Sequence, residues 1–252
     1  MNTEMSKRGA LIVFEGCDRC GKTTQCKKLV EVLENEKEDV QFLPSPDRKT
    51  VIGKLIDEYL NGKLELDDHV IHLLFSANRW EAAKKMKELL QGGTTLIVDR
   101  YAYSGVAYRV AKKRRIAEWE KRMQRQSTTS AVLHVHHAIP VCSIHVCFWC
   151  WQGGLAVDWC KQPDVGLPKP DLVIYLTLSP EKAARREDFG RERFEQIEFQ
   201  KKVAESFEII REKDWKVIDA DKNIEDLHAE IKSLVKKTMK DVQWEDIRAL
   251  WT

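Results

Sequence analysis

The feature that most restricts the fold is a short apolar run, Ala10-Leu11-Ile12-Val13-Phe14, followed by Gly16-Cys17-Asp18-Arg19-Cys20-Gly21-Lys22-Thr23. The apolar run, with its β-branched residues, reads as a buried parallel strand. The octet fits G-x-x-x-x-G-K-[ST], and a helix is predicted from about Lys22 to about Glu36, with Leu29, Val30 and Leu33 on its inner face. A strand, a glycine-bounded turn and a helix in that order aim backbone N–H groups and a helix N-terminus at one point. That arrangement suits a phosphate. Gly16 and Gly21 permit the close approach, Lys22 is expected to reach the β- and γ-phosphates, and the Thr23 hydroxyl is expected to ligate Mg²⁺. Cys17 and Cys20 read as small loop residues, because a disulfide or metal there would distort the cradle.

The rest of the chain alternates in the same way. Strands are predicted at Val40–Leu43, Thr94–Val98, Asp171–Leu178 and Trp215–Ile218. Helices are predicted at Ile52–Leu60, at Val70–Trp80 with a bent continuation to Leu90, near Glu195–Arg211, and from about Ile224 to Lys237. Asp67 or Asp68 caps the second of these, and Ser179-Pro180 opens a further one. Strands separated by helices imply an α/β fold with a parallel sheet covered on both faces.

Composition narrows the function classes. With 43% hydrophobic and 33% charged residues in 252, the chain can build a core under a solvated surface, which excludes a disordered or fibrous protein. The net charge of +2 argues against a bulk nucleic-acid binder and a polybasic membrane anchor. The first residues carry no signal-peptide pattern, and the seven cysteines then read as reduced thiols. The expectation is a cytoplasmic protein with no nucleic-acid or membrane partner, which leaves nuclear or mitochondrial pools open.

Several side chains point to the second substrate of a nucleotide-using enzyme. Val98-Asp99-Arg100-Tyr101 places an Asp and an Arg at a strand end, where Asp99 would hold Mg²⁺ through water and Arg100 a phosphate. Arg48 follows the second strand at the same edge of the sheet. Phe75 and Arg79 lie one helical turn apart and could stack on and hydrogen-bond a base; by spacing alone, the plainer reading has Phe75 in the core and Arg79 in a surface ion pair. Inside the phosphate loop, Asp18 and Arg19 read either as groups acting on the reactants or as a solvated loop tip. Arg185-Arg186-Glu187-Asp188-Phe189-Gly190-Arg191-Glu192-Arg193 reads either as a lid or as a solvated helix end.

Taken with Leu73-Leu74-Phe75-Ser76-Ala77-Asn78-Arg79-Trp80-Glu81, Asp158-Trp159-Cys160-Lys161-Gln162-Pro163-Asp164 and Pro168-Lys169-Pro170-Asp171, these motifs resemble eukaryotic thymidylate kinases over about residues 8–112 and 155–252. The resemblance implies a P-loop nucleoside monophosphate kinase fold with a lid, transfer of phosphate from ATP to dTMP with Mg²⁺, and a homodimer. It implies that Gly16 to Thr24 (Gly16, Cys17, Asp18, Arg19, Cys20, Gly21, Lys22, Thr23, Thr24), Arg185, Asp221 and Lys222 bind ATP. Arg48 and Arg100 would hold the dTMP phosphate, Phe75 and Arg79 the base, and Asp18 the sugar 3′-OH. Tyr101 would crowd the 2′ position, and Ser104, Gly105 and Tyr108 would complete the pocket. Asp18, Arg19, Lys22, Arg100 and Arg191 would be catalytic, and Thr23 and Asp99 would hold the metal. Three positions depart from the family pattern: Pro44-Ser45-Pro46 lacks the usual aromatic and Arg, Phe194 replaces a Tyr, and Tyr108 replaces a Phe.

The domain expected is a single unit over 1–252, interrupted by an irregular insertion at about 113–154. Within that stretch, Cys142, Cys147, Cys150 and the nearby histidines could be read as a zinc site, but their spacing matches no standard ligand set. A membrane hairpin is opposed by Pro140 and the histidines, which leaves an irregular insertion or translated intron. The rival functions are a kinase acting on UMP or dUMP and a catalytically weak ATP-binding protein.

Overall fold

Alternation along β1 (Leu11–Gly16) sends Leu11 and Val13 to one face of a sheet and Ile12 and Phe14 to the other, and every residue of the strand is buried. A strand apolar on both faces needs neighbours and cover on both sides. In the computed structural model, which describes residues 7–112, 157–186 and 188–252, it lies at the centre of a five-stranded parallel sheet ordered β2-β3-β1-β4-β5. The other strands are β2 (Val40–Pro44), β3 (Thr95–Asp99), β4 (Leu172–Thr177) and β5 (Lys216–Asp219).

The helices, in chain order, are α1 (Lys22–Asn35), α2 (Val51–Leu60), α3 (Asp68–Gln91), α4 (102–112), α5 (Val157–Lys161), α6 (Pro180–Ala183), α7 (Ile197–Ile210) and α8 (Ile224–Asp241). One face of the sheet is covered by α3, α4 and α7 through Met86, Val106 and Phe207, and the other by α1 and α8 through Leu29, Leu33 and Ile231. The expected α/β architecture is therefore present.

Two helices differ from expectation. Asp67 caps α3 by accepting the His69 N–H, and α3 then runs as one 24-residue helix; no Gly or Pro between 68 and 91 interrupts it. Ser179 caps α6 as predicted, but α6 stops after four residues because a charged, turn-rich stretch follows. Below the sheet, Arg8 makes a two-pronged ion pair with Asp171, 2.8 Å on each prong, while Asp171 also accepts the Leu11 N–H. That carboxylate fastens the start of β1 beside β4.

Because β1 lies between β3 and β4, the chain order reverses at its carboxyl end, and α/β sheets open their crevice at such a point. The register sets Phe14 and Pro44 both level with Asp99. The ends of β1, β2 and β3 therefore deliver the phosphate loop, the Arg48 loop and Asp99-Arg100 to one rim. Among the described residues, no helix is long and apolar enough to cross a membrane, and no group of three His, Cys, Asp or Glu side chains could hold a metal. The zinc and hairpin readings concern residues outside those described.

Candidate active site

The phosphate loop closes as its sequence requires. Gly16 and Gly21 take φ of 142° and 100°, values that a side chain would strain. Lys22 is buried, its ammonium donating to the Cys17 carbonyl at 2.6 Å and lying 3.4 Å from Cys20 Sγ. The described cysteines are packing groups: Cys17, Cys20 and Cys26 are buried free thiols, and Cys160 is buried as well. Burial pushes the Cys17 thiol up to about 12, so it stays protonated and unreactive at neutral pH. Native Cys17 should resist iodoacetamide at pH 8 and become labelled only on unfolding in urea, as read by peptide mass spectrometry. Labelling of the folded protein at the unfolded rate would contradict this.

The Thr23 hydroxyl donates to Asp99 Oδ2 across the gap between α1 and β3. Asp99 Oδ1 is buried with no hydrogen-bond partner among the described residues. A carboxylate oxygen without a donor beside a phosphate loop is the kind of hard oxygen ligand that Mg²⁺ takes, so the residues fit that ion.

Asp18 and Arg19 are not a solvated loop tip. Arg100 donates to the Gly16 carbonyl at 2.8 Å, to Ser104 Oγ at 3.1 Å and to Asp18 Oδ1. Gln200 on α7 holds Asp18 from the other side, its amide bonding both the Asp18 N–H and the Asp18 carboxylate at 2.8 and 2.7 Å. Arg19 donates to Glu195 at 2.8 Å and to the Asp188 carbonyl at 2.8 Å. The other Glu195 oxygen accepts the N–H groups of Gly190, Arg191 and Glu192, so one buried carboxylate organises the charged loop and ties it to the phosphate loop. Arg48 bridges Asp57 at 2.6 Å and Glu192 at 2.7 Å. Each phosphate-seeking arginine thus already faces a carboxylate.

A cleft of about 690 Å³ joins these groups. Asp18, Arg19, Gly21, Lys22, Thr23 and Thr24 line its phosphate-loop end. Asp99 and Arg100 border it where β3 ends, and Arg48, Phe75, Ser104, Gly105 and Tyr108 line its far end. The structure therefore brings most of the expected residues of both substrates into one space.

Other expected residues lie elsewhere. Gly16, Cys17 and Cys20 form the buried back of the loop. Tyr101 is wholly inside, its hydroxyl donating to the Pro168 carbonyl at 3.1 Å, so its ring supports the wall from behind. Arg191 is exposed and pairs with Asp188, Lys222 pairs with Glu230, Asp221 pairs with Lys182, and Arg185 is exposed; none of the four lines the cleft. The reading of Arg79 as a surface ion-pair partner is incorrect. Its guanidinium is 3% exposed and paired with Asp164, because the 162–164 turn packs directly on α3. Phe75 is half-buried at the cleft wall.

Glu15, Asp164, Glu192, Glu195 and Gln200 were not singled out from the sequence. Glu15, fully buried at the end of β1, accepts the N–H groups of Tyr101 and Ser104 and the Ser104 hydroxyl, which fixes the turn that carries Arg100. Burial pushes its carboxyl pKa up against the opposing pull of Ser104 and Arg100. A buried charge in a strand was the available signal for Glu15. For the others, the ion pairs and hydrogen bonds to Arg79, Arg48, Arg19 and Asp18 span 85 to 182 residues and left no local mark, although Glu195 also gathers N–H groups from its own loop.

Comparison with known proteins identifies the family. The family model for thymidylate kinase matches residues 14–132 and 146–231. Curated thymidylate kinases from Danio rerio and Homo sapiens are 41% and 40% identical, covering 97% and 98% of this chain and 98% and 99% of their own. A solved thymidylate kinase from Candida albicans, described as having broad substrate specificity and a novel structural element, superposes with a TM-score of 0.72 at 32% identity and covers 97% of this chain and 99% of its own.

Proposed function

The chain belongs to the thymidylate kinase family, and from that premise we propose how its residues divide the transfer of a phosphoryl group. The reaction moves the γ-phosphoryl of ATP onto dTMP, giving ADP and dTDP. The observation that carries the assignment of residues is the single cleft, with the phosphate loop at one end and Arg48, Phe75 and Arg100 at the other.

Little covalent work falls to the protein in such a transfer, so positioning and charge neutralisation dominate. Lys22 and the loop N–H groups hold the β- and γ-phosphates. Arg48 and Arg100 exchange their carboxylate partners for the dTMP phosphate, which aims an acceptor oxygen in line with the γ-phosphorus. Asp18, released from Arg100, turns to the sugar 3′-OH. Arg19, released from Glu195, neutralises charge on the group in transit. Arg191, which stands outside the cleft, would act only after the lid rearranges, as would Arg185, Asp221 and Lys222 on the adenine side. Tyr101 favours deoxyribose by shaping the wall. Thr23 and Asp99 would hold Mg²⁺, which when bound shields the phosphate charges.

We further propose a homodimer, supported by the exposed apolar stripe Val70, Leu73 and Trp80 on α3, and a cytoplasmic location, supported by the free thiols of Cys17, Cys20 and Cys26. The whole chain is read as one domain carrying an insertion at 113–154. Light scattering would test the dimer.

The decisive assay is ADP release with ATP-Mg²⁺ and dTMP, dUMP, UMP or dCMP, using the full chain and a form lacking 113–154. Preference for dTMP in both is the expected result. Activity with none of the acceptors in either form would favour the weak ATP-binding protein, and preference for UMP would favour the rival kinase.

A further inference from the structure

Asp164 is completely buried in the turn that packs on α3, and three hydrogen bonds from that helix reach its carboxylate. Arg79 Nε donates at 3.0 Å and Arg79 Nη2 at 2.5 Å, one to each oxygen, and Ser76 Oγ lies 2.7 Å from Oδ1. A guanidinium gripped along one edge in this way cannot swing, since both prongs of the fork are taken. The remaining nitrogen, Nη1, has no hydrogen bond among the described residues.

What lies beside that free edge is Gly105. A Cβ at 105 would come within 3.1 Å of Nη2 and 3.4 Å of Nη1, closer than the packed guanidinium tolerates without shifting. Gly105 lines the cleft and so does Phe75, one turn before Arg79 on α3, whereas Arg79 itself stands behind them. The missing side chain at 105 is thus a window between the cleft and the free edge of Arg79.

We infer that Asp164 is a positioning residue that sets which bases the acceptor site takes, by holding Arg79 as a fixed N–H donor behind the Gly105 window. A donor held there pairs with a pyrimidine that offers a carbonyl oxygen at its 4 position. It refuses one that offers an amine, because two donors would face each other and both would stay unpaired. The inference rests on the proposed placing of the base between Phe75 and Arg79 and deepens it. Ser76 contributes by holding the Asp164 carboxylate in register.

The test is steady-state kinetics with dTMP and dCMP for the whole protein and for Asp164→Asn, Ser76→Ala and Arg79→Gln. Asp164→Asn should lower the dTMP-over-dCMP ratio of kcat/KM by about tenfold. The loss should fall mainly on the KM for dTMP, with kcat for dTMP and the KM for ATP little changed. Ser76→Ala, which leaves the ion pair intact, should shift the same ratio in the same direction by about threefold, and it decides the matter if Asp164→Asn fails to fold by circular dichroism. An unchanged ratio in folded Asp164→Asn or in Ser76→Ala, or an equal fall in kcat for both acceptors, overturns the inference. If Arg79→Gln collapses the ratio while those two variants keep it, the clamp alone is wrong. If Arg79→Gln also keeps it, the placing of the base at Arg79 is wrong and the clamp falls with it.

Discussion

Replacing Lys22 by alanine is expected to lower kcat for dTMP phosphorylation by about 10²–10³-fold or more, while dTMP binds with nearly wild-type affinity. The ammonium is buried at the mouth of α1 and is held there by the Cys17 carbonyl, so its position is set before any substrate arrives. A pre-placed charge costs no reorganisation as negative charge moves between the phosphates, and the low-dielectric surroundings strengthen its effect. The dTMP phosphate is assigned instead to Arg48 and Arg100, whose ion pairs do not involve Lys22. Calorimetry with dTMP alone and turnover with ATP separate the two effects. A Lys22→Ala enzyme within tenfold of wild-type kcat would mean that the phosphates lie elsewhere.

The second large effect is one of stability. Asp171→Ala should destabilise the fold by about 3–5 kcal/mol, the usual result of stranding one member of a buried ion pair. The side chains of Arg8 and Asp171 are 7% and 5% exposed, and loss of the carboxylate leaves both the guanidinium and the Leu11 N–H without that partner. For a chain of this size the melting temperature should fall by on the order of 10 °C. Because the pair lies below the sheet, away from the cleft, turnover per folded molecule at low temperature should be kept. Urea titration gives the first number and activity at 10 °C the second. A loss below about 1 kcal/mol would show that the pair is not desolvated as its burial implies.

These two experiments probe parts of the molecule that were legible in the sequence to different degrees. Lys22 was readable because its role depends on neighbours in the chain: the strand before it, the glycines around it and the helix it begins. The parallel sheet was readable for the same reason, since period and turn residues are local signals. Asp171 was visible only as part of a motif. Its function as a fastener between β1, β4 and Arg8 needs 163 residues of chain to be folded back.

The candidate site divides along the same line. Arg48, Arg100 and the phosphate loop were found because strand ends in an α/β sheet converge on one rim. Spacing alone puts Arg79 in a surface ion pair, and that part fails because helical spacing reports a shared face and not what packs against it. Its partner Asp164 lies 85 residues away, and Gln200 reaches Asp18 from 182 residues away.

The strand–loop–helix cradle, the order of elements and the chemistry available at the rim are written in the chain, because they follow from dihedral preferences and periodicity over a few residues. Which carboxylate each arginine meets, the place of Tyr101 behind the wall and the window that Gly105 leaves to Arg79 came with folding. Burial and ion pairing depend on distances between segments, and those distances exist only once the sheet has assembled.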